Sequence, residues 1–350
     1  MFWLTLLVFL IILSLLVFVH ELGHFAVAKL SGVKVEEFAF GFPPRLVCIK
    51  RGETKYCLNA VPFGGYVKML GEERSSDSPK SFNQKKARYR FAIVVAGVCM
   101  NLVLAGVLLS IGFMVGTSPI RLDTQKFGGQ TVPEVTITQV VADSSAAKSD
   151  LKMGDIITGF ASADEFAKFT RENISKSVTV TIRRENLTLT KTIQLSDNPD
   201  GPLGAGIADV TKVKLPFFKA IAAGFTDAYL TTIYIVGLLW GLLSHIFQPG
   251  QVAENVAGPV KIFNITGQAV KMGLAYIIQF AALLSINVAL VNILPLPALD
   301  GGRAVIIFAE GIARRKIMRV EIENILHMIG FVIIITLLLA VTLREIIALL

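Results

Sequence analysis

The chain has 350 residues, 53% of them hydrophobic, and a mean hydropathy of +0.63. A water-soluble enzyme of this length has no need of so much apolar surface, so composition points to a polytopic membrane protein. The net charge of +8 comes without a basic patch interleaved with aromatic residues. That argues against nucleic acid as a partner and leaves membrane topology and attraction to anionic lipid as the meaning of the charge.

The first predicted span covers about 2–25. It has no Lys or Arg before Lys29 and no small-residue cleavage site after it, so it reads as a retained helix rather than a signal peptide. Residues 31–90 mix apolar and polar positions broken by Gly and Pro, a pattern of short strands and turns. A second span follows at about 91–116, then a polar region at 118–210 with the strand-like runs "EVTITQVV", "VTVTIRR" and "LTLTKTIQL" and a short helix near 163–172. The stretch 224–246 is long enough to cross a bilayer but ambiguous. The third and fourth strong spans cover about 274–297 and 327–349. Residues 29–90 carry 13 basic against 6 acidic side chains, whereas 118–215 carry 12 of each. By the positive-inside rule the first segment is cytoplasmic and the second external. Three cysteines (Cys48, Cys57 and Cys99) form no CxxC, which argues against a disulfide framework or a thiolate zinc site. Cys48 and Cys57 could pair, although the reducing side they are assigned to disfavours it.

"HELGH" places His20 and His24 four residues apart, on one face of a helix, with Glu21 beside the first imidazole. Three ionisable groups at the end of an apolar helix are costly without a cation. Two imidazoles at this spacing suggest Zn2+, and a catalytic zinc wants a third protein ligand. His245 and His327 stand alone and read as helix-end or interfacial residues. The third ligand is therefore expected to be a carboxylate, and Asp300 in "NILPLPALDGG" is the obvious one. Shared depth with the histidines requires the third span to run inward, which makes 224–246 interfacial or re-entrant.

Together, "HELGH", "FGGYVKM", the Gly258-Pro259 step and "NILPLPALDGG" resemble the site-2 protease family of intramembrane zinc metalloproteases. The nearest branch is the RseP-type regulator of sigma E signalling. In the external segment, "ADSSAAKSDLKMGDIITGF" resembles the core of a PDZ domain, with "GPLGAGI" as a candidate groove loop or a plain connector. The resemblance implies that His20, His24 and Asp300 hold zinc and that Glu21 is the general base. It implies that Asn287 and Asn292 bind substrate or support the site. It also implies a membrane-embedded hairpin in "CLNAVPFGGYVKM", whose Phe63, Gly64, Gly65 and Tyr66 capture substrate as an added strand. Close relatives often carry two PDZ modules where this chain has room for one. Arg303 stands where some relatives have His, which is not a ligand position.

The fold expected is an α-helical polytopic membrane protein with four transmembrane helices, an inserted soluble α+β PDZ domain and a membrane-associated β-hairpin. Its parts are 1–117 with HExxH and the hairpin, 118–212 as the PDZ domain, 213–271 as an amphipathic connector, and 272–350 with the third and fourth spans. The activity implied is cleavage of the transmembrane segment of a single-span protein in the bacterial inner membrane. Its substrates would be an anti-sigma factor after site-1 cleavage, or a remnant signal peptide. Membrane lipid and a peptide end at the PDZ domain are further expected partners. A metal transporter or an inactive PDZ scaffold are the alternatives.

Overall fold

A computed structural model describes residues 1–72, 74, 76–123, 127–128, 130–184, 187–198, 201–244 and 258–348, with the backbone alone at 63, 130–132 and 242–244. The chain divides into two compact units. The first comprises Met1–Leu108, Ala228–Thr266 and Ala281–Leu350, and the second Leu109–Asp227 and Gly267–Phe280. Among the described residues, five helices are long and apolar enough to cross a membrane: α1 (Phe2–Leu30), α2 (Ala87–Val115), α5 (Phe217–Ser244), α7 (Leu274–Asn292) and α9 (Val320–Ile347). The fifth of these relative to the sequence reading is α5, which contains most of the ambiguous stretch 224–246.

In the first unit, α7 stops at Asn292 rather than near 297, because Pro295 and Pro297 cannot continue a helix. A tight turn through Ala298 (φ 79°) leads straight into α8 (Asp300–Ala313). Close approach explains the two glycines of "LDGG". A Cβ on Gly301 would sit 2.1 Å from the Ile293 carbonyl oxygen, and one on Gly302 2.3 Å from that of Leu296. The first turn of α8 is thus pressed against the turn that precedes it, which fixes where Asp300 points.

Two long strands, β1 (Val35–Arg51) and β2 (Thr54–Met69), fold back on each other. Residues 45–51 pair with 54–59, while Val35 to Phe40 pairs with Met69 to Gly65. Residues 37–40 also partner 55–58, so this stretch has neighbours on both sides. The result is a small curled sheet rather than a simple hairpin, with 65–69 along one edge and 45–51 along the other. Cys48 and Cys57 are direct cross-strand partners and are joined as a disulfide, contrary to the sequence expectation. The register brings their Cα atoms to 4.2 Å.

The short helix α6 (Pro259–Met272) is fixed at its start. The Glu345 carboxylate, near the C-terminal end of α9, accepts from the Gly258, Val260 and Lys261 amides at 2.7, 3.1 and 3.3 Å. Near the other end of α9, His327 Nδ1 accepts from the Ala298 amide at 2.9 Å. Gly258 and Asp300 therefore lie toward opposite ends of one 28-residue helix, about 40 Å long at 1.5 Å per residue.

The second unit holds a five-stranded sheet in the order β6-β5-β4-β3-β7. Its strands are β3 (Gln130–Val140), β4 (Ile156–Ile157), β5 (Ser177–Arg184), β6 (Leu187–Gln194) and β7 (Ala205–Lys214). The helices α3 (Ser145–Lys148) and α4 (Ala163–Glu172) complete it, and Ile137, Phe166, Ile182 and Ile193 form its buried centre. Asp227 ties α5 to the segment after α2 by accepting from the Ile120, Arg121 and Leu122 amides.

Candidate metal centre and active site

The site begins on the last two turns of α1. The i, i+4 spacing turns both imidazoles the same way, and the Nε2 atoms of His20 and His24 lie 3.1 Å apart. Asp300, in the first turn of α8, meets them. Its Oδ2 is 2.9 Å from His20 Nε2 and 3.3 Å from His24 Nε2. A tetrahedral zinc with bonds of about 2.0–2.1 Å sets its ligand atoms roughly 3.3 Å apart. The observed separations are close to that figure. Two ring nitrogens and a carboxylate oxygen converging on one buried point form a set of lone-pair donors, which suits a cation. Among the described residues, this is the one cluster of three His, Cys, Asp or Glu side chains whose donor atoms meet.

The far side of each ring is engaged. His24 Nδ1 donates to the Ile93 carbonyl oxygen at 2.8 Å, which leaves Nε2 as the free donor atom. The Asn101 carboxamide lies 3.2 Å from His20 Nδ1 and is fully buried. The atom facing the ring is Nδ2, and Oδ1 has no partner; turning the amide over would let the oxygen accept a proton on His20 Nδ1. Both groups come from α2, which approaches α1 closely because Gly97 has no side chain. A Cβ there would sit 2.5 Å from His24 Nε2 and 2.7 Å from His20 Cε1. Sequence reasoning overlooked Gly97 and Asn101. The available signal was their own i, i+4 spacing in an otherwise apolar helix.

Glu21 lines a cavity of about 200 Å³ together with His20, His24, Asp300, Tyr66, Glu72 and Arg303. The strand edge 65–69 forms one wall. A Cβ on Gly65 would lie 3.6 Å from Glu21 Cγ, so the sheet comes within contact of the glutamate. Gly64 has φ 85°, and a Cβ there would meet the Phe42 ring at 2.8 Å. The Tyr66 hydroxyl donates to Glu37 at 2.5 Å. Burial and that bond push its pKa up, so the phenol stays protonated. The backbone of Phe63 continues β2, but its side chain lies outside the described residues.

A second cavity of about 370 Å³ shares Tyr66, Val67, Glu72 and Arg303 with the first and adds Glu37, Arg45 and Lys68. Arg303 is not idle: it donates to Glu72 and, at 3.0 Å, to Glu323, with its guanidinium 5.4 Å from the Phe82 ring centroid. It thereby pins α8, one turn past Asp300, to α9 and to the end of β2. Neither asparagine is among the residues that line the cavity at the cluster. The Asn287 amide donates to Leu283 within α7 at 2.9 Å, and Asn292 is the half-buried last residue of that helix. His327 serves the turn before Asp300, as described above. His245 lies outside the described residues.

The sequence profile of peptidase family M50 matches residues 8–337. Relatives named zinc metalloproteases share its length. One from Clostridium perfringens is 36% identical over 95% of this chain and 96% of its own. Another from Clostridium acetobutylicum is 33% identical over 95% of each. A third, from Fusobacterium nucleatum, is 31% identical over 98% of each. With the profile spanning nearly the whole chain and full-length relatives above 30% identity, the chain belongs to peptidase family M50, the site-2 protease family.

Proposed function

We propose that this chain is a membrane zinc endopeptidase that hydrolyses a peptide bond within the transmembrane segment of a single-span protein, with His20, His24 and Asp300 holding the metal. The observation that carries this reading is the convergence of the two Nε2 atoms and Asp300 Oδ2 within 2.9–3.3 Å, in a cavity that Glu21 also lines. Held by His20, His24 and Asp300, a zinc would supply Lewis acidity toward a water and a carbonyl oxygen. Glu21 takes the proton from the attacking water and passes it to the leaving amine. Asn101 and the Ile93 carbonyl keep the imidazoles aimed, and Arg303 keeps Asp300 in reach. The edge 65–69 accepts an unwound stretch of substrate by backbone pairing, which presents one carbonyl at the cluster. Asn292, at the mouth of α7, is a donor for that backbone. The two adjoining polar cavities let water reach amides that lipid otherwise shields.

The chain has the histidines and Asp300 toward the inner face, and Gly258 toward the outer. The opposed ends of α9 support this, since Glu345 caps the residues at 258–261 and Arg303 bonds Glu323 beside Asp300. On this reading α5 returns the chain to the side from which it started, and four helices cross. The five-stranded unit is an extracytoplasmic PDZ-type module that reads a trimmed substrate end. Anti-sigma factors after a first external cut, and remnant signal peptides, are the substrate classes that fit.

Co-expression of the full chain with single-span reporters tests the claim. Wild type is expected to yield a fragment cut inside the reporter span. Glu21→Gln should give none, a loss of at least about a thousandfold for a lost general base, yet retain zinc. Equal fragment from both would refute the assignment, and loss of both zinc and fragment would make Glu21 a ligand rather than a base.

A further inference from the structure

Tyr56 packs its ring on Phe25 of α1, but beyond it the distal part of the small sheet is largely bare among the described residues. β1 alternates between buried and half-buried through its first residues, then is exposed at every position from Phe42 to Arg51. An isolated two-stranded ribbon is marginal in water, and this one carries large apolar side chains. One face bears Val47, Ile49, Tyr56 and Leu58, and Ile49 is 66% exposed. The opposite face bears Lys50 and Lys55, which are direct cross-strand partners. Like charges facing each other on a ribbon are destabilising. Glu37 is the other register partner of Lys55, but its carboxylate is taken by Arg45 and the Tyr66 hydroxyl, and among the described residues neither lysine has an ion pair. The one acid at the tip, Glu53, is taken by Lys80 at 2.6 Å. Lys50 and Lys55 instead line an open cavity of about 310 Å³ with Arg45, Leu46, Val47 and Cys48. This cavity is separate from the metal cluster, with no lining residue in common.

We propose that the ribbon tip is a docking surface for anionic phospholipid, with a headgroup phosphate seated between Lys50 and Lys55. The charge pattern selects the ligand. Two ammonium groups at one register position, with the neighbouring Glu37 already bound elsewhere, favour an anion, and the apolar residues around them favour acyl chains over water. A ribbon lying in the interface satisfies both, with Val47, Ile49 and Leu58 turned to the hydrocarbon boundary and the lysines to the phosphate layer. The lipid thus braces the outer edge of the sheet whose inner edge borders the metal cluster.

The test uses the full chain in nanodiscs of phosphatidylcholine, with or without about one-third phosphatidylglycerol. Amide hydrogen exchange is followed over residues 42–58. The anionic lipid is expected to slow exchange by roughly thirtyfold, since each lysine at an anionic surface contributes about 1 kcal/mol. Lys50→Gln/Lys55→Gln should exchange like wild type in phosphatidylcholine and lose the response to phosphatidylglycerol. Lys50→Arg/Lys55→Arg should keep it. Wild-type exchange that ignores lipid charge, or a response that survives the double Gln substitution, would overturn the proposal. Equal protection by inorganic phosphate in phosphatidylcholine discs would also overturn it, by showing a small-anion site.

Discussion

At the scale of single residues, the cluster depends on absences as much as on ligands. Gly97 makes room for two imidazoles, and a methyl group there would overlap His24 Nε2 at 2.5 Å. Gly97→Ala is therefore expected to lower bound zinc at least tenfold with helical content unchanged, as read by metal analysis and circular dichroism on the same sample. Gly237→Ala, where a Cβ meets nothing within 4 Å, is the control and should leave zinc content alone. His20, Glu21 and His24 were legible because a helix repeats every 3.6 residues and the motif is local. Asp300 stood out because two prolines precede it and two glycines follow it at the end of an apolar run. Asn101, Glu72 and Glu323 were not, because their roles rest on contacts across tens to hundreds of residues. A buried polar residue in one helix does not name its partner in another.

Elements are held by a few charged caps. The Gly258, Val260 and Lys261 amides at the start of α6 share the Glu345 carboxylate, which also meets the positive end of the helix dipole. Glu345→Ala should weaken that helix start by about 2 kcal/mol. It would be read as roughly thirtyfold faster amide exchange over α6, with Glu345→Gln between the two. In the second unit, Asp150 is bound by Lys191 at 3.0 Å, with Lys152 and Arg184 beside it. Lys191 foremost, against a smaller opposing effect of desolvation, brings its pKa down to about 2. A carboxyl whose pKa is lower folded than unfolded (about 3.9) stabilises fully above pH ~4. That contribution fades as pH falls through 2. Asp150→Asn should thus lower the thermal midpoint at neutral pH, and the gap to wild type should close by about pH 2. The long apolar helices and β3, β5 and β6 could be read from hydropathy and alternation. α8 could not, since two glycines stand second and third among its 14 residues. Nor could β4, which has two residues, or β7, whose Gly and Asp interrupt the pattern. The double-sided pairing of 37–40 was hidden as well, because register across a curled sheet is a tertiary property.

For the whole molecule, the chain builds one unit from three separated segments so that the end of α1 and the start of α8, 280 residues apart, meet at a point. Hydropathy foresaw helices in the bilayer but not which of them touch. Composition also could not decide whether α5 crosses, since 25 of its residues pass as a span on length and apolarity alone. The account's central claim is that one zinc joins those two distant elements through His20, His24 and Asp300. Zinc-edge X-ray absorption of the purified full chain and of Asp300→Cys measures this directly. Wild type should show nitrogen and oxygen neighbours only, at about 2.0–2.2 Å, and the variant should gain a single sulfur at about 2.3 Å. A variant spectrum identical to wild type, with zinc fully bound in both, would contradict the account.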